Sequence, residues 1–146
     1  MTSIFDAEAR RQLAQRLRRI TPDTERRWGA MTSAEVLAHL HDALLMALGD
    51  LVIPAQKTPL RFTPIKQLII YVAPFPKGAP TAPQLLGRAA TDFDAEITSI
   101  CGMLERCADP AQALAPEHPA FGRLSRRDWG VLIHRHTDHH LRQFGA

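Results

Sequence analysis

Four stretches of the chain place apolar residues at helical spacing. Near the N-terminus, Leu13, Leu17 and Ile20 fall four and three apart, one face of a helix predicted over residues 6–19 with Asp6 as its N-cap. Thr21-Pro22-Asp23 then breaks the pattern as a turn. A second helix opens at Thr32, which with Glu35 three positions later makes a capping box. It ends at Gly49, where a left-handed cap is expected. Val36, Leu37, Leu40, Leu44, Leu45, Met46 and Leu48 make it apolar nearly all round, so it belongs at the centre of a helical assembly. A third helix, over residues 92–107, carries Phe93, Ile97, Ile100 and Leu104 on one stripe. Thr91 with Asp94 is its expected cap, and Asp109-Pro110 ends it. The last helix starts at Ser125, with Asp128 as cap partner, and runs to about residue 144.

Residues 54–83 hold seven of the eleven prolines. Within them Thr63-Pro64 starts a short helix carrying Ile65, Leu68, Ile69, Ile70 and Val72, which ends before Pro74. A connection this long usually has a function or covers something. The one β-rich run, residues 68–72, follows that helix start, so no strand is expected. The predicted architecture is all-α: a four-helix bundle with a long Pro-rich crossover carrying a short extra helix, in one domain over residues 1–146.

Composition narrows the function classes. With 45% hydrophobic and 23% charged residues, the chain reads as globular. Its net charge of +3 comes largely from arginine pairs such as Arg18-Arg19 and Arg126-Arg127, placed near predicted helix ends as ordinary surface charge. Aromatics are not interleaved with them, so no nucleic-acid partner is expected. No stretch approaches the roughly 20 apolar residues needed to span a bilayer, and MTSIFDAEARR lacks the basic-then-apolar order of a signal peptide. No membrane partner and a cytoplasmic location are the expectations. Cys101 and Cys107 sit six apart on one helix, about 9 Å, too far for a disulfide.

Five of the seven histidines lie from His118 onward. At about 100° per residue, Trp129, Leu132, Ile133, His136, His140, Gln143 and Phe144 share one face of the last helix. That face is the apolar one, so His136 and His140 take inward positions. Two imidazoles four apart project together and can bind one ion, the geometry used by HExxH zinc sites. Two buried imidazoles also need something to bond them. A third ligand must come from another helix. His39 and His41 point about 200° apart on the second helix. His39 has the small Ala43 one turn away, which leaves room for an ion, whereas His41 suits a rim or capping role. Glu35, Asp42 and Asp138 are carboxylates that could orient a ligand imidazole. Three histidines leave a coordination position open, and the donor set suits zinc, nickel or iron. No Ser/His/Asp set is evident, and no residue is assigned a catalytic role. In the HPAFG loop, Pro119 and Gly122 suit a tight turn. His118 is expected to serve that turn, and Phe121 to plug the end of the bundle.

These residues resemble a known group. Val36-Leu37-Ala38-His39-Leu40 near a helix start and HTDHHLRQ over residues 136–143 resemble the DinB-like (DinB/YfiT) superfamily. Trp28-Gly29-Ala30-Met31, residues 118–125 and Trp129-Gly130 with HTDHHLRQFG bring the chain nearest to an uncharacterised branch, domain of unknown function 1569. The resemblance spans most of the chain from Trp28 onward. It implies a four-helix bundle, often a homodimer, holding a divalent metal on His39, His136 and His140. Characterised relatives bind a low-molecular-weight thiol on the metal as thiolate and act as bacillithiol or mycothiol S-transferases or as a maleylpyruvate isomerase. Where the superfamily often has His-Arg-Gly-Gln, this chain has His140-Leu141-Arg142-Gln143. The expectation is a metal- and thiol-dependent transferase or isomerase acting on a small molecule, with Arg142 or Arg123 as candidate partners for a carboxylate of the thiol. Two alternatives stay open: a non-catalytic metal-binding or dimerising bundle of stress-related role, and a metal-free histidine hydrogen-bond network.

Overall fold

Helix ends in this protein are set by side chains that complete backbone hydrogen bonding. A computed structural model describes residues 1–146. Asp6 accepts from the Glu8 N–H and starts α1, Ala7–Leu17. Thr32 and Glu35 form the expected reciprocal box at the start of α2, Ser33–Leu48. Gly49 closes α2 at φ 79°, a conformation that costs glycine little. The short crossover helix α3 spans Thr63–Tyr71, with Pro64 in its first turn. α4 runs Phe93–Ala108, and α5 runs Arg126–Gln143 behind a Ser125–Asp128 capping box. The cap of α4 corrects the sequence expectation. Asp92, not Thr91, caps it, because its carboxylate accepts from the Ala95 N–H at 3.0 Å.

α2 packs most extensively along α4, and α1 lies against both α4 and α5. Val36, Leu37 and Leu40 of α2, Ile100 and Leu104 of α4 and Leu141 of α5 are almost completely sealed. Each such side chain contributes about 1.5–3 kcal/mol through removal from water. One cluster of buried side chains draws on all five helices. Cys107 is buried in it, which pushes its thiol up to about 12, and Cys101 is half-buried; both are free.

α3 docks on α5 mainly through polar anchors. Tyr71 Oη donates to Asp128 Oδ1 at 2.7 Å, and Lys66 Nζ donates to the Arg123 carbonyl at 2.6 Å. The Arg135 guanidinium donates to the carbonyls of Ile69, Ile70 and Ala73. It thereby caps the C-terminus of α3 and sets a cation at the negative end of its dipole. The opposite side of α3 leaves Phe62, Leu68 and Val72 exposed.

A second correction concerns β-structure. The HPAFG loop is the turn of a small antiparallel hairpin, β1 at Glu117–His118 and β2 at Gly122–Arg123. His118 Nδ1 accepts from the backbone N–H groups of Ala120 and Phe121, and Gly122 turns the chain at φ 69°. Phe121 is buried in the core. No helix is long and apolar enough to cross a membrane.

Candidate metal centre

α2 and α5 bring His39, His136 and His140 together. The three ring centroids are 4.7–5.0 Å apart, and one potential ligand nitrogen from each lies within 4.8 Å of the others. His39 is 4% and His140 9% accessible. His136 retains more surface because it lines a cavity, while the neighbouring Thr137 and Leu141 are sealed in the core.

Hydrogen bonding assigns the tautomers. His39 Nδ1 lies 3.2 Å from the Leu85 carbonyl, which can only accept, so the proton is on Nδ1 and the lone pair on Nε2. Gln143 Nε2 donates to the Trp28 carbonyl at 2.9 Å, which turns its Oε1 to His140 Nδ1, also at 2.9 Å. His140 therefore also carries its proton on Nδ1, and its Nε2 lone pair is free. His136 Nε2 stands 3.1 Å from His39 Nε2 and donates to it. An ion taking both nitrogens requires only that His136 move its proton to its own Nδ1. Outer acceptors that fix ligand tautomers in this way are the usual second layer of histidine metal sites.

The cluster is held uncharged. Burial lowers His39, against the Leu85 hydrogen bond and Asp42, which raise it. Burial drives His136 well below the ordinary histidine value, and His140 and His39 add to the effect. His140 falls to about 3, through burial and then His39, with the Gln143 hydrogen bond opposing. Neutral imidazole is the form that ligates metal.

The remaining histidines are placed elsewhere. His41 bonds Asp42 and Ser99 of α4, the rim role expected of it. His118 serves the hairpin turn, and burial lowers it to about 4. His139 stands beside the triad between Trp28 and Phe75. None of the three candidate carboxylates reaches a triad nitrogen. Glu35 caps α2, Asp42 pairs with Arg88, and Asp138 pairs with Arg16 and Arg142. The orienting acceptors are instead the Leu85 carbonyl and Gln143. Gln143 was visible in the sequence one turn after His140 on the same face, but a backbone carbonyl leaves no trace in residue type. Gly29 gave no local signal either. A Cβ there would collide with the Gln143 amide, and its φ is +83°.

A cavity of about 500 Å³ opens beside the triad, within the usual range for small-molecule sites. α2 and α5 form one side, with Leu40, Ala43, Leu132 and Ile133. Crossover residues including Leu60, Phe75 and Ala79 form the other, and Phe121 of the hairpin turn also reaches it. The crossover thus covers the site, as its length suggested. Arg142 and Arg123 do not line the cavity. Arg142 pairs with Asp138, and the Arg123 side chain is 90% accessible.

Fold and site together define a mostly helical protein whose three clustered, neutral histidines could hold a metal ion at the wall of a cavity. Over residues 4–146 the chain matches the family described as Protein of unknown function (DUF1569). The chain belongs to that family. No curated protein and no solved structure matches it.

Proposed function

We propose that His39, His136 and His140 bind one divalent ion, zinc, nickel or iron, in a four-helix bundle of the DinB-like type, and that the site serves a metal- and thiol-dependent transferase or isomerase acting on a small molecule. The observation that carries this reading is the convergence of the triad. Two of its three imidazoles are held by outer acceptors as Nδ1–H tautomers, so that their Nε2 lone pairs face the cluster, that of His39 accepting from His136. A bound cation favours the ionised form of a coordinated thiol. The nucleophile then belongs to the thiol, and the protein's own groups bind and orient. In this reading the protein is cytoplasmic and a homodimer, and light scattering checks the dimer.

Elemental analysis of protein purified without a histidine tag tests the ion. One equivalent in the wild type and loss in His39→Ala are expected. Sub-stoichiometric metal that His39→Ala leaves unchanged rules the site out in favour of a histidine hydrogen-bond network. A thiol-transfer assay with monochlorobimane and a panel of bacterial thiols tests the activity. One observation favours a second reading, a non-catalytic binding module: histidines are the only titratable side chains on the cavity wall. Bound metal with inactivity across the panel selects that reading.

A further inference from the structure

The cavity wall contains no Asp, Glu, Lys or Arg side chain. Its body is aliphatic and aromatic, with Leu40, Leu44, Leu132, Ile133 and Phe121 among its residues. Two of its polar groups are committed: Gln143 bridges Trp28 and His140, and His118 Nδ1 holds the hairpin turn. Two nearby cations are committed elsewhere. Arg135 caps α3, and Arg61 bonds Glu117 and the Pro119 carbonyl. Lys77 stands 4.4 Å from the Trp28 ring centroid without lining the cavity. In the metal-free protein a carboxylate or sulfonate drawn inside would lose its water and gain no ionic partner from the wall. An apolar body would gain by leaving water.

We propose that the cavity takes an uncharged, largely apolar small organic molecule that presents one metal-ligating atom to the triad. The apolar body follows from the cavity alone; the ligating atom rests on the reading of the triad as a metal site.

The test uses two dyes on one scaffold, neutral N-phenylnaphthylamine and its sulfonated counterpart anilinonaphthalene sulfonate, titrated by fluorescence into zinc-loaded and metal-stripped protein. Saturable one-site binding of the neutral dye is expected in both forms, and in the metal-stripped form at least roughly tenfold tighter than that of the sulfonate. Ala43→Trp fills the cavity and should abolish it. Leu86→Trp, at a half-exposed wall position, provides the same block if the first variant fails to fold. No saturable binding of the neutral dye, equal or tighter binding of the sulfonate to the metal-stripped form, or full binding in a folded Trp variant overturns the proposal. Phenylimidazole should displace the dye about tenfold more tightly from the zinc-loaded form. Equal displacement with and without zinc removes the ligating atom, protein that takes up no zinc removes the triad reading, and the dye pair decides the apolar body in either case.

Discussion

Gln143 uses both ends of one amide: its NH2 anchors on the Trp28 carbonyl, and its oxygen holds the His140 N–H. Leucine has a similar shape and neither function. Gln143→Leu is expected to weaken zinc binding by about 10–100-fold, the usual effect of losing an orienting partner, as read by competition with a chromophoric chelator. Gly29→Ala should act in the same direction, because its methyl group meets the Gln143 amide and its backbone is left-handed. His118 yields a prediction in pH. Its Nδ1 is an acceptor for two turn N–H groups, so protonation there would break both bonds. The folded value is about 4, below the ordinary 6.5. Between these limits the unfolded chain binds a proton that the folded chain refuses. His118 therefore gives its full stability above pH 6.5 and loses it progressively as pH falls towards 4. The loss is on the order of 2–3 kcal/mol. Urea melts of wild type and His118→Asn across that range should converge at the acid end.

At the level of elements, what was legible followed from how local the signal was. Capping residues and helical spacing lie within a few positions of one another, so α1, α2, α4 and α5 could be read to within a residue or two. So could the phase that put His136 and His140 on one face. The hairpin was missed because two-residue strands are too short to alternate. The start of α3 at Thr63 and its end before Pro74 were legible too, but the Arg135 cap on that end, more than sixty positions away in sequence, is announced by no local pattern. The cavity is equally non-local, since it exists only once the crossover lies over α2 and α5. Tyr71→Phe isolates the docking of α3, because the Asp128 capping box remains intact. Burial and the Asp128 bond push the Tyr71 hydroxyl up to about 12, so it is a donor throughout the neutral range. Loss of this bond to a charged acceptor should cost about 1.5–3 kcal/mol. Amide exchange over α3 should rise while that of α2 and α4 stays unchanged. Uniform acceleration across all the helices would show that α3 does not open separately.

For the whole molecule, the proposed ion site links ion binding to folding. The triad joins α2 to α5, two elements nearly a hundred positions apart, and the unfolded chain has no such assembled site. Zinc at about 100 times its Kd should stabilise the fold by about 2.7 kcal/mol, seen as a rise in Tm that His39→Ala abolishes. An identical Tm with and without zinc would show that the ion does not bridge these helices.

The cavity is built from two materials. Its histidine-bearing side is continuous helix, hydrogen-bonded along its length. The side facing it comes partly from a crossover where Pro74, Pro76, Pro80 and Pro83 offer no amide to any ladder. The proposed metal ligands therefore lie on the helical side alone, while the shape of the cavity is shared between both stretches of chain. Residues 75–86 can be exchanged to suit a bulkier or slimmer guest while only the Leu85 carbonyl keeps a duty to the triad. For engineering, that makes the crossover the place to diversify and the helical wall the place to leave alone.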